Sequence, residues 1–218
     1  MTFKADTNGN VIHSTAIIDK SVGLGFGNYV GPNCYITGRT SIGNDNRFEA
    51  YCAIGTRPEH KNVFKGNKFE GLVIGSNNVF REFVTINTGL TCDTFISDNC
   101  IFLRGAHVGH CSSIGPNVSV HCNCIIGGHC VLAEGAYLGL GAILNPRVII
   151  PAYAVIGSNS TVLNKQLLKP FLKYAGSPVK EIGYNSLGIE RAGLSMEKIY
   201  EINKRYGVVD SELSTKST

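Results

Sequence analysis

Ile96-Ser-Asp-Asn-Cys-Ile-Phe-Leu-Arg-Gly-Ala-His-Val-Gly-His110 opens the stretch that decides the fold. From Ile96 an aliphatic or aromatic residue returns at every sixth position, through Phe102, Val108, Ile114, Val120, Ile126, Leu132, Leu138, Leu144, Ile150, Ile156 and Val162. Two places before most of these stands a small residue (Cys100, Ala106, Ser112, Cys124, Cys130, Ala136, Ala142, Ala154, Ser160), and the place after is often Gly. A fixed period of six is the pattern of a parallel β-helix. Short strands alternate with tight turns, and three units close a triangular coil of about eighteen residues. One aliphatic and one small residue per unit then point inward and stack on their equivalents a coil away.

Outward from this stretch the frame runs back through Ile54, Phe48, Ile42, Ile36, Val30, Leu24 and Ile18, so the helix starts near Val11. The step breaks after Gly55, where Thr56 to Glu70 is charged and aperiodic, and resumes in a shifted frame at Ile74, Phe80 and Ile86. A shorter break between Asn87 and Thr94 restores the frame at Ile96. The pattern predicts an all-β domain over residues 1–164, about seven coils long, with an insertion loop near 56–72 thrown outward from the stack. Residues 165–218 form a helical extension in this reading: Val179 to Ala192 has helical content, and Ser195 offers an N-cap to a second helix ending near Tyr206. Their expected role is to cover the last coil, whose open β edge is a liability.

With 43% hydrophobic residues in 218, the chain can bury a core as one domain with an appendage. No apolar run approaches the length of a bilayer span and Met1 to Asn10 is polar, so the expectation is a soluble cytoplasmic protein without integral membrane contact. Of eight cysteines, Cys34, Cys52, Cys100, Cys124 and Cys130 take the small inward slot, where a thiol acts as a buried hydrophobe. The lack of any Cys-x-x-Cys argues against a tetrahedral zinc site and suits a reducing compartment. A net charge of +4 accords with an anionic ligand such as a nucleotide or a phosphopantetheine carrier; no nucleic-acid partner is expected.

Chemistry concentrates in Ala106-His-Val-Gly-His110, whose histidines the frame sets at turn positions outside the stack. Inside it, an unpaired imidazole would cost roughly 1–3 kcal/mol. One coil further on, Gly128 should lie directly over His110 with its N–H free. A base beside a free backbone donor is the minimal equipment for acyl transfer: His110 takes the proton of the attacking hydroxyl or amine and the Gly128 amide steadies the oxyanion. Both histidines as plain polar turn residues is the alternative. In the insertion loop, His60 sits in Arg57-Pro-Glu-His-Lys61, where basic groups beside a cleft would suit phosphate. His13, His121 and His129 read as structural.

The chain resembles the UDP-N-acetylglucosamine O-acyltransferases of lipid A biosynthesis, hexapeptide-repeat enzymes of lipopolysaccharide assembly. The likeness spans about Val11 to Leu194 and is strongest over Ile74 to Ile86, Ala106 to His110 and Asn185 to Ser195. It implies left-handed coiling, although β crossovers are otherwise right-handed, and a homotrimer with active sites in clefts between neighbours. It further implies that His110 is the general base and Gly128 the oxyanion donor. His107 and Lys61 would contact the sugar, while Asn185 and Arg191 would hold the nucleotide of a nucleotide-sugar acceptor. No cofactor or metal is bound in this reading; an acyl carrier protein or acyl-CoA is the donor substrate.

Several positions depart from the family. The orienting aspartate after the base is Cys111, and Asn87, Leu187 and Ala192 replace a histidine, a glutamate and a second arginine. Ser158 replaces the Gly that limits acyl length, which implies a short acyl group. Ala175-Gly-Ser-Pro-Val-Lys180 is similar to the ending of coenzyme A-dependent hexapeptide acetyltransferases, where the lysine meets an adenosine phosphate. A CoA-dependent N-acyltransferase for a deoxyamino sugar of surface polysaccharide (O-antigen) therefore stays open. So does a non-catalytic trimer binding zinc through His107, His110 and His129.

Overall fold

The computed structural model describes residues 2–61, 63 and 68–208. They form a left-handed parallel β-helix with three faces and two short helices. Each face is a sheet of very short strands: face A passes through Val30, Phe48, Phe80, Phe102, Val120, Leu138 and Ile156, face B through Ile36, Ile54, Ile86, Val108, Ile126 and Leu144, and face C through Ile42, Ile74, Ile96, Ile114, Leu132 and Ile150. Every one of these side chains is buried, and together they are the core. Each fully buried aliphatic contributes about 1.5–3 kcal/mol, so stacking alone supplies ample driving force.

The coil count is higher than the sequence suggested. Face A holds eleven strands, of which only the first and last are antiparallel, giving about nine turns instead of seven. Val11–His13 begins the parallel run where the frame was expected to start, though ahead of the counted slots, and Leu172–Gly176 continues it past the last clear repeat. An antiparallel strand closes each end of face A. Phe3–Ala5 pairs with Val11–His13, and Val179–Tyr184 pairs with Leu172–Gly176. Val179 to Tyr184, expected to be helical, is thus a strand, because an unpaired rung beside it offers a full row of backbone partners. The two helices are α1 (Ser186–Arg191) and α2 (Met196–Arg205), with Asn185 and Ser195 as their N-caps. They do not sit on the end of the coil. Ile199 and Ile202 pack against Ala152, Tyr153 and Phe171, along one edge of the prism.

The two interruptions fall on a single edge, where face B turns into face C. Phe95 pairs with Ser113, eighteen residues on. Leu72 pairs with Thr40, 32 residues back, which places fourteen extra residues between Thr56 and Leu72, and with Thr94, 22 residues on, which places four between Asn87 and Thr94. The opposite device holds the edge where C turns into A. In the small inward slot of face A, the Oδ1 atoms of Asn10, Asn28 and Asn46 each accept the next coil's asparagine amide, Nδ2 to Oδ1, at 3.0–3.1 Å, and its backbone N–H at 2.8–3.0 Å. The ladder ends at Asn78, which accepts from the Cys100 N–H.

Candidate active site

Past the two insertions, the same B/C edge carries His110, then Gly128 and His129, then Arg147, in successive coils. An open cleft of about 870 Å³ runs along it, walled by loop residues Glu59, His60, Lys68, Leu90 and Thr91 and floored by the coil. The corner residues Cys111, His129 and Arg147 all hold left-handed backbone, with φ of 60°, 61° and 68°. Elsewhere that conformation goes largely to Asn and Gly, with Tyr51, Phe83, Tyr153 and Phe171 as the aromatic exceptions, so these three side chains are held at some conformational cost.

His110 and Gly128 meet as the period required. A Cβ on Gly128 would lie 2.9 Å from both Cε1 and Nε2 of His110, so only glycine lets the imidazole lie against this backbone. A Cβ on Gly109 would lie 2.8 Å from the Gly128 nitrogen, so glycine there leaves this amide uncrowded, and among the described residues the Gly128 N–H donates to no backbone carbonyl. The neighbouring corner is tied down by a bond from the His129 N–H to the His110 carbonyl at 2.9 Å. Around the base, the His129 ring stands edge-on at 5.2 Å and the His60 ring edge-on at 6.0 Å.

Cys111 occupies the far side of the imidazole, its Sγ 3.5 Å from His110 Nδ1. The loop between Asn87 and Thr94 turns over this sulfur, and the N–H groups of Leu90 and Thr91 donate to it at 3.2 and 3.4 Å. Burial alone would push the thiol up, but the Thr91 amide, the His110 ring and the amides of Leu90 and Cys92 bring it down to about 5. Neither the contact nor the loop's path over it follows from residue spacing.

His107 is not on a turn. It lies on the strand His107–Val108, outward-facing and half-buried on the cleft wall, with Nδ1 2.8 Å from the Thr85 hydroxyl. Burial lowers its pKa, partly opposed by Glu59. Asn87 also lines the cleft: its amide nitrogen donates to Thr56 Oγ1 and the Arg57 carbonyl, both at 3.1 Å, and its buried Oδ1 has no partner among the described residues. Lys61 is exposed outside the lining, to which Lys68 and Arg147 contribute the cations; spacing singles out neither of these, nor His129 as a lining group.

Four expected residues stand away from this cleft within one chain. Asn185 caps α1, accepting from the Gly188 N–H at 3.1 Å and donating to the Tyr153 carbonyl at 2.9 Å, which places it on the C/A edge, and Arg191 ends the same helix. Ser158 is exposed on the A/B edge, and Lys180 is exposed on the strand Val179–Tyr184. For a metal, the three histidines of the zinc alternative are not the group that gathers. Among the described residues, one ligand atom each of Cys92, Cys111 and His129 lie within 4.8 Å of one another.

Fold and edge together define a hexapeptide-repeat acyltransferase. The comparisons with known proteins agree. No family model matches the chain, but it is 34% identical over 216 residues to the acyl-[acyl-carrier-protein]–UDP-N-acetylglucosamine O-acyltransferase of Bartonella henselae, covering 89% of this chain and 77% of that one. It is 32% identical to the enzyme of the same name from Herminiimonas arsenicoxydans, covering 92% and 83%. The solved UDP-N-acetylglucosamine acyltransferase of Francisella novicida superposes with a TM-score of 0.76 at 25% identity, over 92% of this chain and 82% of that one. The chain belongs to the UDP-N-acetylglucosamine O-acyltransferase family. No helix among the described residues is long and apolar enough to cross a membrane.

Proposed function

We propose that this chain transfers an acyl group from an acyl carrier protein to a hydroxyl of UDP-N-acetylglucosamine, with His110 as general base and the Gly128 N–H as oxyanion donor. The observation that carries the assignment is the contact between them: an imidazole against a glycine whose amide is uncovered, on the floor of an open cleft. Cys111 sets the tautomer. Because two amides already donate to its sulfur, Sγ acts as the acceptor toward Nδ1. Nδ1 then carries the hydrogen and Nε2 keeps the lone pair that removes the hydroxyl proton. The alkoxide attacks the thioester carbonyl, the oxyanion is held by the Gly128 N–H, and the thiol leaves with the proton from His110. The sulfur faces the imidazolium that forms in between.

His107 and Asn87 face the acceptor sugar, and Lys68 and Arg147 supply positive charge for its diphosphate, with Lys61 on the same loop adding to the field from outside the lining. Asn185 and Arg191 stand on a different edge from His110, so they serve the cleft of a neighbouring copy in a homotrimer. The outward residues Ile125 and Ile143, 48% and 40% exposed on face B, fit such a contact. Ser158, where the family carries Gly, shortens the acyl site, and the expected donor is short-chained.

Two measurements test the reading. Thiol release is followed with UDP-N-acetylglucosamine and a ladder of acyl groups, each on a carrier protein and on coenzyme A, with Lys180→Ala reporting any use of the latter. Absence of turnover with every pair would refute the assignment. Co-expressing His110→Ala with Arg191→Ala chains should restore part of the activity that each lacks alone; no restoration would place the whole site within one chain.

A further inference from the structure

Behind the proposed base lies a second constellation, made by three passes of the chain along the B/C edge: Cys92 from the four-residue insertion, Cys111 from the next corner and His129 from the one after. Two sulfurs and an imidazole form a soft donor set suited to zinc. Zinc holds sulfur at about 2.3 Å and nitrogen at about 2.0–2.1 Å, which sets tetrahedral ligand atoms roughly 3.4–3.8 Å apart. The three atoms lie within 4.8 Å of one another, so no pair has to close by much more than about 1 Å to reach that spacing.

The corner is built independently of any ion. The loop carrying Cys92 is closed so tightly that a Cβ on Gly89 would sit 1.8 Å from the Cys92 carbonyl oxygen. Its ends are pinned to Gly71 by bonds from the Gly89 and Thr94 N–H groups at 2.9 and 3.0 Å. Cys111 is fixed through its own N–H to Thr94 Oγ1 at 2.8 Å, and two amides aim at its sulfur, an arrangement that stabilises a thiolate ligand. Cys92 is exposed and His129 lines the cleft, so an ion has an open approach and a fourth coordination position free for water or a cleft ligand.

We propose that Cys92, Cys111 and His129 form a binding site for a zinc-class dication, and that its occupation slows acyl transfer by engaging the sulfur that holds His110 Nδ1. The ion is not part of the acyl-transfer chemistry. The inhibitory half rests on the acyltransferase reading; the binding half does not.

The experiment uses the full-length reduced protein, stripped of metal with a chelator. Zinc is titrated against a chromophoric chelator, and cobalt(II) is added in parallel to read sulfur-to-cobalt charge transfer. One ion per chain with a thiolate–cobalt band is expected. Cys92→Ser should weaken zinc about 10- to 100-fold or more and reduce the band at saturating cobalt to that of a single sulfur, while metal-free turnover stays at the wild-type level and becomes far less sensitive to zinc. A cobalt spectrum without the charge-transfer band, or zinc affinity unchanged in Cys92→Ser, would overturn the site. Binding with the band but with unaltered turnover would overturn only its inhibitory effect. Absence of turnover in the metal-free wild type would count against the acyltransferase reading, and the cobalt spectrum would still decide the metal site.

Discussion

Two edges of one prism, built from the same repeat, do opposite things. Where face C turns into face A, the repeat is unbroken, and four buried asparagines hand an amide from coil to coil until Cys100 takes over the slot. Further along, the same edge stacks Tyr153 on Phe171 at 5.6 Å beneath the two helices. Where face B turns into face C, two insertions interrupt the repeat, glycines at 109 and 128 leave a backbone donor uncrowded, and polar rings and thiols stand where the other edge carries its asparagine ladder. The large inward positions are equally apolar on all three faces, and polar residues take the small inward slot beside both edges, the asparagines at one and Thr40, Thr94 and Ser112 at the other. What separates scaffold from chemistry is therefore the residue at the corner and whether its backbone groups are consumed.

If that division holds, substitutions on the B/C edge should change turnover and leave stability alone. The largest effect is expected for His110→Gln, which keeps a polar side chain at the corner and removes the base; kcat should fall by about 10²- to 10⁴-fold. Thermal unfolding, followed by circular dichroism, should stay at the wild-type midpoint, because the ring is only half-buried. A variant with full activity would return His110 to the status of a turn residue. Next comes Gly128→Ala. Its methyl would lie 2.9 Å from two ring atoms of His110, and displacing an imidazole by around an ångström costs on the order of 10²-fold in kcat. Steady-state kinetics at saturating acceptor separate this from a change in KM.

The converse substitution sharpens the contrast from the other edge. Asn46→Ala strips the acceptor from the Asn78 N–H and Nδ2 and leaves Asn28 Oδ1 and the Gly75 carbonyl each short of a donor. Leaving buried polar groups unmade costs about 1–3 kcal/mol. Urea unfolding should register that loss while kcat stays within about twofold of wild type. A large drop in kcat with unchanged stability would mean that the two edges are coupled.

The division also explains what could be read in advance. The six-residue step is a direct imprint of inward stacking, so the faces, both insertions and the approach of Gly128 to His110 were all legible from spacing. The ends of the coil were not. Phe3–Ala5 and Val179–Tyr184 become strands because each finds an unpaired rung, a tertiary circumstance with no period of its own. The cleft was half legible. His107, His110 and Asn87 follow from the frame and the resemblance, whereas Lys68 and the Cys111 contacts depend on how the inserted loops fold back over the corner. Asn185 shows the limit on the other side: a residue carried over for ligand binding is, within one chain, an N-cap bonded to the core.

The smallest effect distinguishes a cleft wall from a solvent face. Burial lowers the pKa of His107 in the folded chain from an ordinary value of 6.5, with Glu59 offsetting part of the shift and the Thr85 hydroxyl bonded to Nδ1. A base with a depressed folded pKa binds fewer protons folded than unfolded, so stability rises with pH through this range. The contribution is fully present above 6.5, where both states are neutral, and is lost as pH falls through 6.5 toward the lower folded value. His107→Gln removes the titration and keeps a polar partner for Thr85. Its stability, measured by urea unfolding at a series of pH values, should match wild type near pH 8 and decline less steeply below 6.5. Parallel curves would mean that His107 faces water as freely as an exposed histidine and is not part of the cleft wall.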